Sequence, residues 1–117
     1  MGRLTTHVLD TSAGKPGKGL RIDLYRLEAE SRSFIKTVTT NDDGRCDEPV
    51  LEGDALTEGQ YELVFHAGDY FRSQGSTLPD NAFLDVIPLR FGVADASQHY
   101  HVPLLVTPFS YSTYRGS

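Results

Sequence analysis

The chain has 117 residues, of which 38% are hydrophobic and 23% are charged, and its formal net charge at pH 7 is −5. This length and composition are typical of one globular domain, expected over 1–117, and exclude a disordered chain. The acidic balance argues against a nucleic-acid partner, whose binding surface is normally basic. No apolar run approaches the ~20 residues that a membrane span needs, so we expect no membrane partner either.

The first half of the chain alternates between predicted strands and turns. A strand is predicted at 4–11, and the glycine-rich segment 14–19 has turn chemistry. Residues 20–27 alternate apolar and polar side chains, as in a strand with one wet face. A β-branched run at 33–40 predicts the next strand, and the Asn-Asp-Asp-Gly segment at 41–44 ends it with a strong turn signal.

The second half predicts one short helix at 68–75 and several more strands. Those strands are expected at 45–49, 60–67, 83–93, 98–107 and 109–114. Pro88 demotes its strand to a sheet edge, because proline has no N–H to donate to a neighbour. Seven or eight short strands with turn signals between them predict an all-β fold, an antiparallel β-sandwich.

Four candidate residues, His7, Arg45, His99 and His101, have ordinary explanations when taken alone. His7 on a strand is more often a surface residue than a ligand, and Arg45 beside acidic neighbours is normally a surface ion pair worth about 0–1 kcal/mol. His99 and His101 are two residues apart, so on a strand they point to the same side. If Val102 faces the core, both histidines face outward.

These explanations weaken if the candidates share one surface. First and last strands of a Greek-key sandwich often lie in one sheet, which would put His7 and His101 on the same outward face. Leu9 and Pro103 would lie on that face too. A sheet face that carries histidines next to apolar side chains is not typical of a solvent-exposed surface. The pattern predicts a cleft formed where two such faces pack in a symmetric oligomer.

Five motifs are spread along the whole chain. Leu-Thr-Thr-His-Val-Leu-Asp lies at 4–10 near the start, and Tyr-Arg-Gly-Ser at 114–117 ends the sequence. His-Tyr-His-Val-Pro-Leu-Leu lies at 99–105, Asp-Gly-Arg at 43–45 and Phe-Leu-Asp-Val-Ile-Pro-Leu at 83–89. Together these motifs resemble those of the 5-hydroxyisourate hydrolases, the transthyretin-like enzymes of urate breakdown.

The resemblance implies a fold and an activity. The fold would be a transthyretin-like (prealbumin-like) antiparallel β-sandwich of two four-stranded sheets with one short helix, assembled as a homotetramer (a dimer of dimers) with sites at a subunit interface. The activity would be hydrolysis of a cyclic amide C–N bond, converting 5-hydroxyisourate to 2-oxo-4-hydroxy-4-carboxy-5-ureidoimidazoline in purine catabolism. No cofactor and no metal are expected.

The resemblance also implies residue roles. His7, Arg45, His101 and Ser117 would be catalytic, and His7, Arg45, Tyr114 and Arg115 would bind substrate. A histidine would activate water, but the sequence does not decide between His7 and His101. His99 would be a neighbour at the rim. Arg45 would polarise a carbonyl oxygen, and Arg115 would anchor the chain end by ion pairing.

Other functions remain open at this point. A non-catalytic transthyretin-like carrier uses the same sandwich, since fold alone does not decide function. His7, His99 and His101 could instead chelate zinc, although no carboxylate or cysteine obviously completes the set. A structural or adhesion domain fits the chain poorly.

The single Cys46 excludes an intrachain disulfide and is expected to pack as a small apolar side chain. With no secretory signal in the first residues, we expect a cytoplasmic protein.

Overall fold

In the computed structural model, which describes residues 1–116, nine strands surround one core. The strands are β1 (Arg3–Asp10), β2 (Lys15–Pro16), β3 (Arg21–Leu27), β4 (Arg32–Thr39), β5 (Leu51–Glu52), β6 (Gly59–His66), β7 (Val86–Val93), β8 (His99–Val106) and β9 (Tyr111–Thr113). The single α-helix of this part of the chain, α1, spans Ala67–Ser73, and a 3-10 turn spans Gly53–Ala55. The predicted all-β architecture with one short helix is confirmed.

The strands form two sheets. One has the order β2-β1-β8-β9, with β5 also paired to β1, and the other has the order β4-β3-β6-β7. The prediction that the first and last strands share a sheet is therefore confirmed. The expectation of two four-stranded sheets needs a correction, because the two-residue β5 adds a fifth strand to the first sheet.

The expectation of a wholly antiparallel sandwich needs a second correction. β1 and β8 run parallel, with Thr5 opposite His101 and His7 opposite Pro103. Parallel neighbours need a long crossover connection, and here the whole second sheet lies between β1 and β8 in the chain. This parallel register brings the two histidine-bearing strands together.

The strand predicted at 45–49 is wrong. Only Arg45 pairs, through a single bridge to His7, and regular pairing resumes at Leu51. Side-chain hydrogen bonds from Asn41 hold the preceding loop, and Pro49 has no N–H to donate to a neighbouring strand. The strand predicted at 83–93 starts only at Val86. It is an edge strand of its sheet, as Pro88 predicted.

The core lies between the sheets and follows the two-residue period of the strands. In β1, Leu4, Thr6 and Val8 are buried, whereas Thr5 and His7 are half-buried on the outward face. Aromatic side chains fill the centre of the sandwich; the largest fully buried ones are Tyr61, Phe65, Tyr70 and Phe71. Among residues 1–116 there is no helix long and apolar enough to cross a membrane.

Candidate active site

The outward face of the first sheet carries the candidate residues from β1 and β8. Thr5 and His7 alternate with the buried residues of β1, and His99 and His101 alternate with buried Tyr100 in β8. All four outward side chains are half-buried. The strand alternation thus predicts correctly which way both histidines of β8 point.

The loop between β4 and β5 places Arg45 beside this face. The backbone N–H of Val8 donates to the carbonyl oxygen of Gly44 at 2.8 Å. Gly44 has φ +75°, and a β-carbon there would collide with the carbonyl oxygen of Val8. Only glycine fits both the left-handed conformation and this close approach to β1. Gly44 is therefore the residue that lets the loop dock.

Two side chains fix the loop in this position. The Asn41 Oδ1 atom accepts hydrogen bonds from the backbone N–H groups of Asp43, at 2.9 Å, and of Arg45, at 3.1 Å. His7 donates from Nε2 to the carbonyl oxygen of Asp43 at 2.9 Å. Because a carbonyl oxygen only accepts, neutral His7 carries its proton on Nε2 and keeps Nδ1 as an acceptor.

Arg45 is not the surface ion pair that its acidic neighbours suggested. Asp42 pairs instead with Lys18, at 3.1 Å between Oδ1 and Nζ. Within residues 1–116 the guanidinium of Arg45 forms no hydrogen bond or ion pair. An exposed arginine with five uncommitted donors can bind an oxygen-rich group.

His101 is held neutral by its surroundings. Burial lowers the pKa of His101, and the positive charge of Arg45 lowers it further, with smaller effects from His99 and His7. Its Nδ1 atom lies 2.7 Å from the hydroxyl oxygen of Thr5. A neutral imidazole near pH 7 can accept a proton, as a general base must.

His7 pairs with Arg45 through a single backbone bridge, and Arg45 and His101 line one groove with a volume of about 320 Å³. Its lining includes Arg3, Thr5, Arg45, Cys46, His99 and His101. Cys46 is half-buried, and burial raises the pKa of its thiol, so it remains a protonated, weakly reactive wall residue. The groove therefore combines the uncommitted guanidinium of Arg45 with the neutral imidazole of His101. A cation that polarises a carbonyl and a base that activates water are the two groups that carbonyl hydrolysis needs.

The C-terminal segment packs against β8 but turns its long side chains elsewhere. The backbone N–H of Gly116 donates to the carbonyl oxygen of His101 at 2.8 Å. The Arg115 guanidinium lies 4.2 Å from the centroid of the buried Tyr100 ring and donates to Gln98 Oε1 and to the His99 carbonyl oxygen. These anchoring acceptors are neutral groups, whereas the sequence predicted an ion pair.

The structure therefore brings His7, Arg45 and His101 together and leaves two predicted residues apart. Tyr114 and Arg115 line a second groove of about 320 Å³, between β7 and the C-terminal segment. Ser117 lies outside the described residues. Thr5 was missed, although its position two residues before His7 put it on the same strand face.

The described residues contain no group of three His, Cys, Asp or Glu side chains placed to hold a metal ion. His99 and His101 turn one nitrogen each toward the hydroxyl of Thr5. This arrangement satisfies both nitrogens with a hydrogen-bonding group.

Sequence similarity to known proteins identifies the family. Residues 4–116 match the HIUase/Transthyretin family. A 5-hydroxyisourate hydrolase from Ralstonia nicotianae is 68% identical over 117 residues, which cover 100% of both chains. The chain belongs to the HIUase/Transthyretin family.

Solved structures show the same fold. An (S)-allantoin synthase matches with a TM-score of 0.93 and 51% identity over 99% of this chain, which corresponds to only 44% of that longer chain. A 5-hydroxyisourate hydrolase from Klebsiella pneumoniae matches with a TM-score of 0.80 and 31% identity, over 100% of this chain and 94% of its own. Sea bream transthyretin in complex with thyroxine has a TM-score of 0.84 and 25% identity, over 97% of this chain and 94% of its own.

Proposed function

We propose that this protein is a 5-hydroxyisourate hydrolase of purine catabolism, which converts its substrate to 2-oxo-4-hydroxy-4-carboxy-5-ureidoimidazoline. The observation that carries the proposal is that Arg45 and His101 line one groove and His7 pairs with Arg45 beside it, in a chain whose full-length relatives are named for this reaction. An inert carrier has no need for a neutral imidazole beside an uncommitted guanidinium.

His101 is the better general base of the two candidates. Its lowered pKa keeps the ring neutral near pH 7, and Nδ1 is held by Thr5, so Nε2 is the nitrogen left for a water molecule. His101 takes a proton from water while the oxygen bonds to the substrate carbonyl carbon. The adjacent C–N bond then breaks, and the leaving nitrogen receives the proton. Such assistance typically contributes ~10²–10⁴-fold.

Arg45 and His7 bind and polarise the substrate. The planar fork of Arg45 donates to the carbonyl oxygen on which negative charge develops during water attack. Since the Nε2 proton of His7 is used by Asp43, its Nδ1 atom accepts a hydrogen bond from a substrate N–H. Arg45 thereby binds a hydrogen-bond acceptor of the substrate ring, and His7 binds a hydrogen-bond donor.

The remaining predicted residues act in a homotetramer, a dimer of dimers with its sites at a subunit interface. Two features support such an assembly: Leu9, Leu105 and buried Pro103 give the groove-bearing face an apolar part, and exposed Phe83 and Phe109 form an aromatic pair with centroids 6.4 Å apart. In the assembly, Tyr114 positions the substrate ring, Arg115 holds the chain end, and Ser117 orients the attacking water.

We place the reaction in the cytoplasm. The single free Cys46, without a disulfide partner in the sequence, suits a reducing compartment. Tagging the chain at its N-terminus and following its distribution in fractionated cells checks this; recovery in a secreted fraction would contradict it.

The direct test uses substrate made in the cuvette. Uricase converts urate to fresh 5-hydroxyisourate, whose ultraviolet decay is followed with and without the protein. We expect decay far above the spontaneous rate, lost in His101→Asn and in a chain lacking residues 115–117. His66→Asn is the matched control, because His66 bonds to Asp23 in the other sheet. No acceleration by the folded wild-type protein would favour the carrier function.

A further inference from the structure

One hydroxyl group joins the two histidines of β8. The Thr5 Oγ1 atom lies 2.7 Å from Nδ1 of His101 and 2.8 Å from Nε2 of His99. Thr5 sits directly opposite His101 in the parallel register of β1 and β8. Both distances are those of good hydrogen bonds, so Thr5 bridges the rings rather than merely lying near them.

Proton counting restricts how this bridge can be arranged. A threonine hydroxyl has one proton, so it can donate to only one ring and must accept an N–H from the other. In one arrangement Thr5 donates to His99, and His101 carries its proton on Nδ1 with Nε2 free. In the other arrangement Thr5 donates to His101, and His99 carries a proton on Nε2. The tautomer of each ring is therefore tied to that of the other.

We propose that Thr5 is a positioning residue that ties the tautomer of His101 to that of His99 through a shared proton chain, with the reactive tautomer of His101 formed when Thr5 donates to His99. The inference deepens the proposed hydrolase function and rests on it. His99 then serves as a proton store for His101 rather than as a neighbour at the rim. Neither residue needs to touch the substrate.

The charges around His101 give this coupling a purpose. When His101 takes a proton from water at Nε2, a positive charge develops next to Arg45, which already opposes it. If the Nδ1 proton of His101 passes to the Thr5 oxygen while the hydroxyl proton passes to Nε2 of His99, the charge moves to His99. The groove is lined by Arg3 and Arg45 as well as by Asp47 and Glu48, and Arg3 lies opposite His99 in the register of β1 and β8. The transfer moves the charge off the ring that Arg45 opposes.

The proton movements balance over the reaction. The water O–H bond breaks as the N–H bond forms at His101 Nε2, and the water oxygen bonds to the carbonyl carbon. As the C–N bond breaks, His99 returns its proton through Thr5 to Nδ1 of His101 while the leaving nitrogen takes the Nε2 proton, so His101 never loses both protons. Both rings end as they began, and the substrate has gained one water.

Matched substitutions of Thr5 test the coupling through kinetics. Thr5→Val keeps the shape but removes the hydroxyl, and we expect kcat to fall at least about tenfold with KM nearly unchanged. Thr5→Ser restores the hydroxyl and should keep kcat within about threefold. Thr11→Val is the control, because this threonine also bonds from the end of β1 to β8, at Val106, but away from the histidines. Equal activity of Thr5→Val and wild type would overturn the proposal.

Two further measurements separate a positioning role from a structural one. In a His99→Phe background, Thr5→Val should cause no additional loss, because the residues act as one unit; an additive loss would overturn the coupling. His99→Phe breaks the bridge from its other end and should reproduce the kcat loss of Thr5→Val. It therefore provides an independent test if Thr5→Val folds poorly. Activity of His99→Phe equal to that of wild type would also overturn it.

A spectroscopic test works without substrate and so separates this inference from the proposed function. In protein labelled with ¹⁵N-histidine, ring nitrogen shifts report the tautomer and titration of each imidazole. Thr5→Val should change the signals of both His99 and His101, whereas Thr11→Val should change neither. A change in only one ring, or in none, would overturn the shared proton chain even if the wild-type protein hydrolyses 5-hydroxyisourate.

Discussion

Gly116 and His101 are in contact through both backbone and side chain. The N–H of Gly116 donates to the carbonyl oxygen of His101, and a β-carbon on Gly116 would lie 2.5 Å from Cδ2 of the imidazole. The C-terminal segment therefore packs against one side of the His101 imidazole. Gly116 has no positive φ, so space rather than backbone conformation requires glycine here.

Gly116→Ala should reduce activity with little effect on folding. The added methyl group pushes the His101 ring out of position, and misplacing a catalytic group by about 1 Å can cost ~10²-fold in rate. Gly75→Ala is a control of opposite character: Gly75 has φ +93° and open space around its α-carbon, so the substitution should cost about 1 kcal/mol of stability and no activity. Urea unfolding and the uricase-coupled assay distinguish the two. Full activity of Gly116→Ala would contradict the proposed contact.

The pH dependence of the reaction should reveal the influence of Arg45 on His101. Burial and Arg45 lower the pKa of His101, so the ring stays neutral at pH values below the pKa of an ordinary histidine. We therefore expect kcat/KM to stay high into that more acidic range. Arg45→Gln removes the positive charge, so the pKa of His101 rises and the acid limb of the profile moves to higher pH.

Arg45→Lys separates this charge effect from substrate binding. Lysine keeps the positive charge but loses the planar fork, so the acid limb should stay near its wild-type position while the rate falls about tenfold or more. The profiles are measured after subtracting spontaneous decay at each pH. An acid limb that is the same in Arg45→Gln and wild type would show that Arg45 does not set the titration of His101.

Gly44→Ala should weaken both the fold and the site. Alanine is strained at φ +75°, and its methyl group would displace the carbonyl of Val8. We expect a loss of about 2 kcal/mol or more in the free energy of unfolding, together with displacement of Arg45 from the groove. Asn41→Ala is a milder companion, since it removes side-chain bonds to the loop without a collision. Thermal unfolding and activity are measured on both variants; unchanged values for Gly44→Ala would contradict the docking role of the loop.

The sequence predicted what depends on local pattern. The two-residue period of β1 and β8 sets which side chains face the core, so the outward direction of His7, His99 and His101 could be predicted from alternation alone. The contacts of Thr5 could not, because they depend on the parallel register between residues 96 positions apart. No spacing rule within one strand fixes that register.

Two other features escaped prediction for related reasons. The strand predicted after Arg45 failed because side-chain bonds from Asn41 and the docking of Gly44 on Val8 override the local strand pattern. The direction of Arg115 follows from a ring that the sequence places 15 positions earlier, Tyr100, and from acceptors on β8. Roles for Tyr114, Arg115 and Ser117 in substrate binding or catalysis therefore remain predictions about the assembled protein.

Asp23 should make stability depend on acid. This buried carboxylate accepts hydrogen bonds from Thr37 at 2.6 Å and from His66 at 2.9 Å, and it pairs with Arg21. Burial alone would raise the pKa of Asp23, but these hydrogen bonds outweigh it and lower the pKa to about 2. An unfolded aspartate titrates near 3.9, so between these values the native state binds fewer protons than the unfolded state.

The sign of the effect follows from this difference. The stabilisation, about 2–3 kcal/mol, is present above the unfolded pKa near 3.9 and is lost as the pH falls through about 2. Asp23→Asn should lower the free energy of unfolding at pH 7 and flatten its decline between pH 5 and about 2. Asp42→Asn is the control, because Asp42 pairs with Lys18 in solvent with 83% of its side chain exposed and should leave the slope unchanged. Urea unfolding at fixed protein concentration across this pH range measures both. Equal slopes for Asp23→Asn and wild type would mean that the Asp23 cluster does not contribute to acid unfolding.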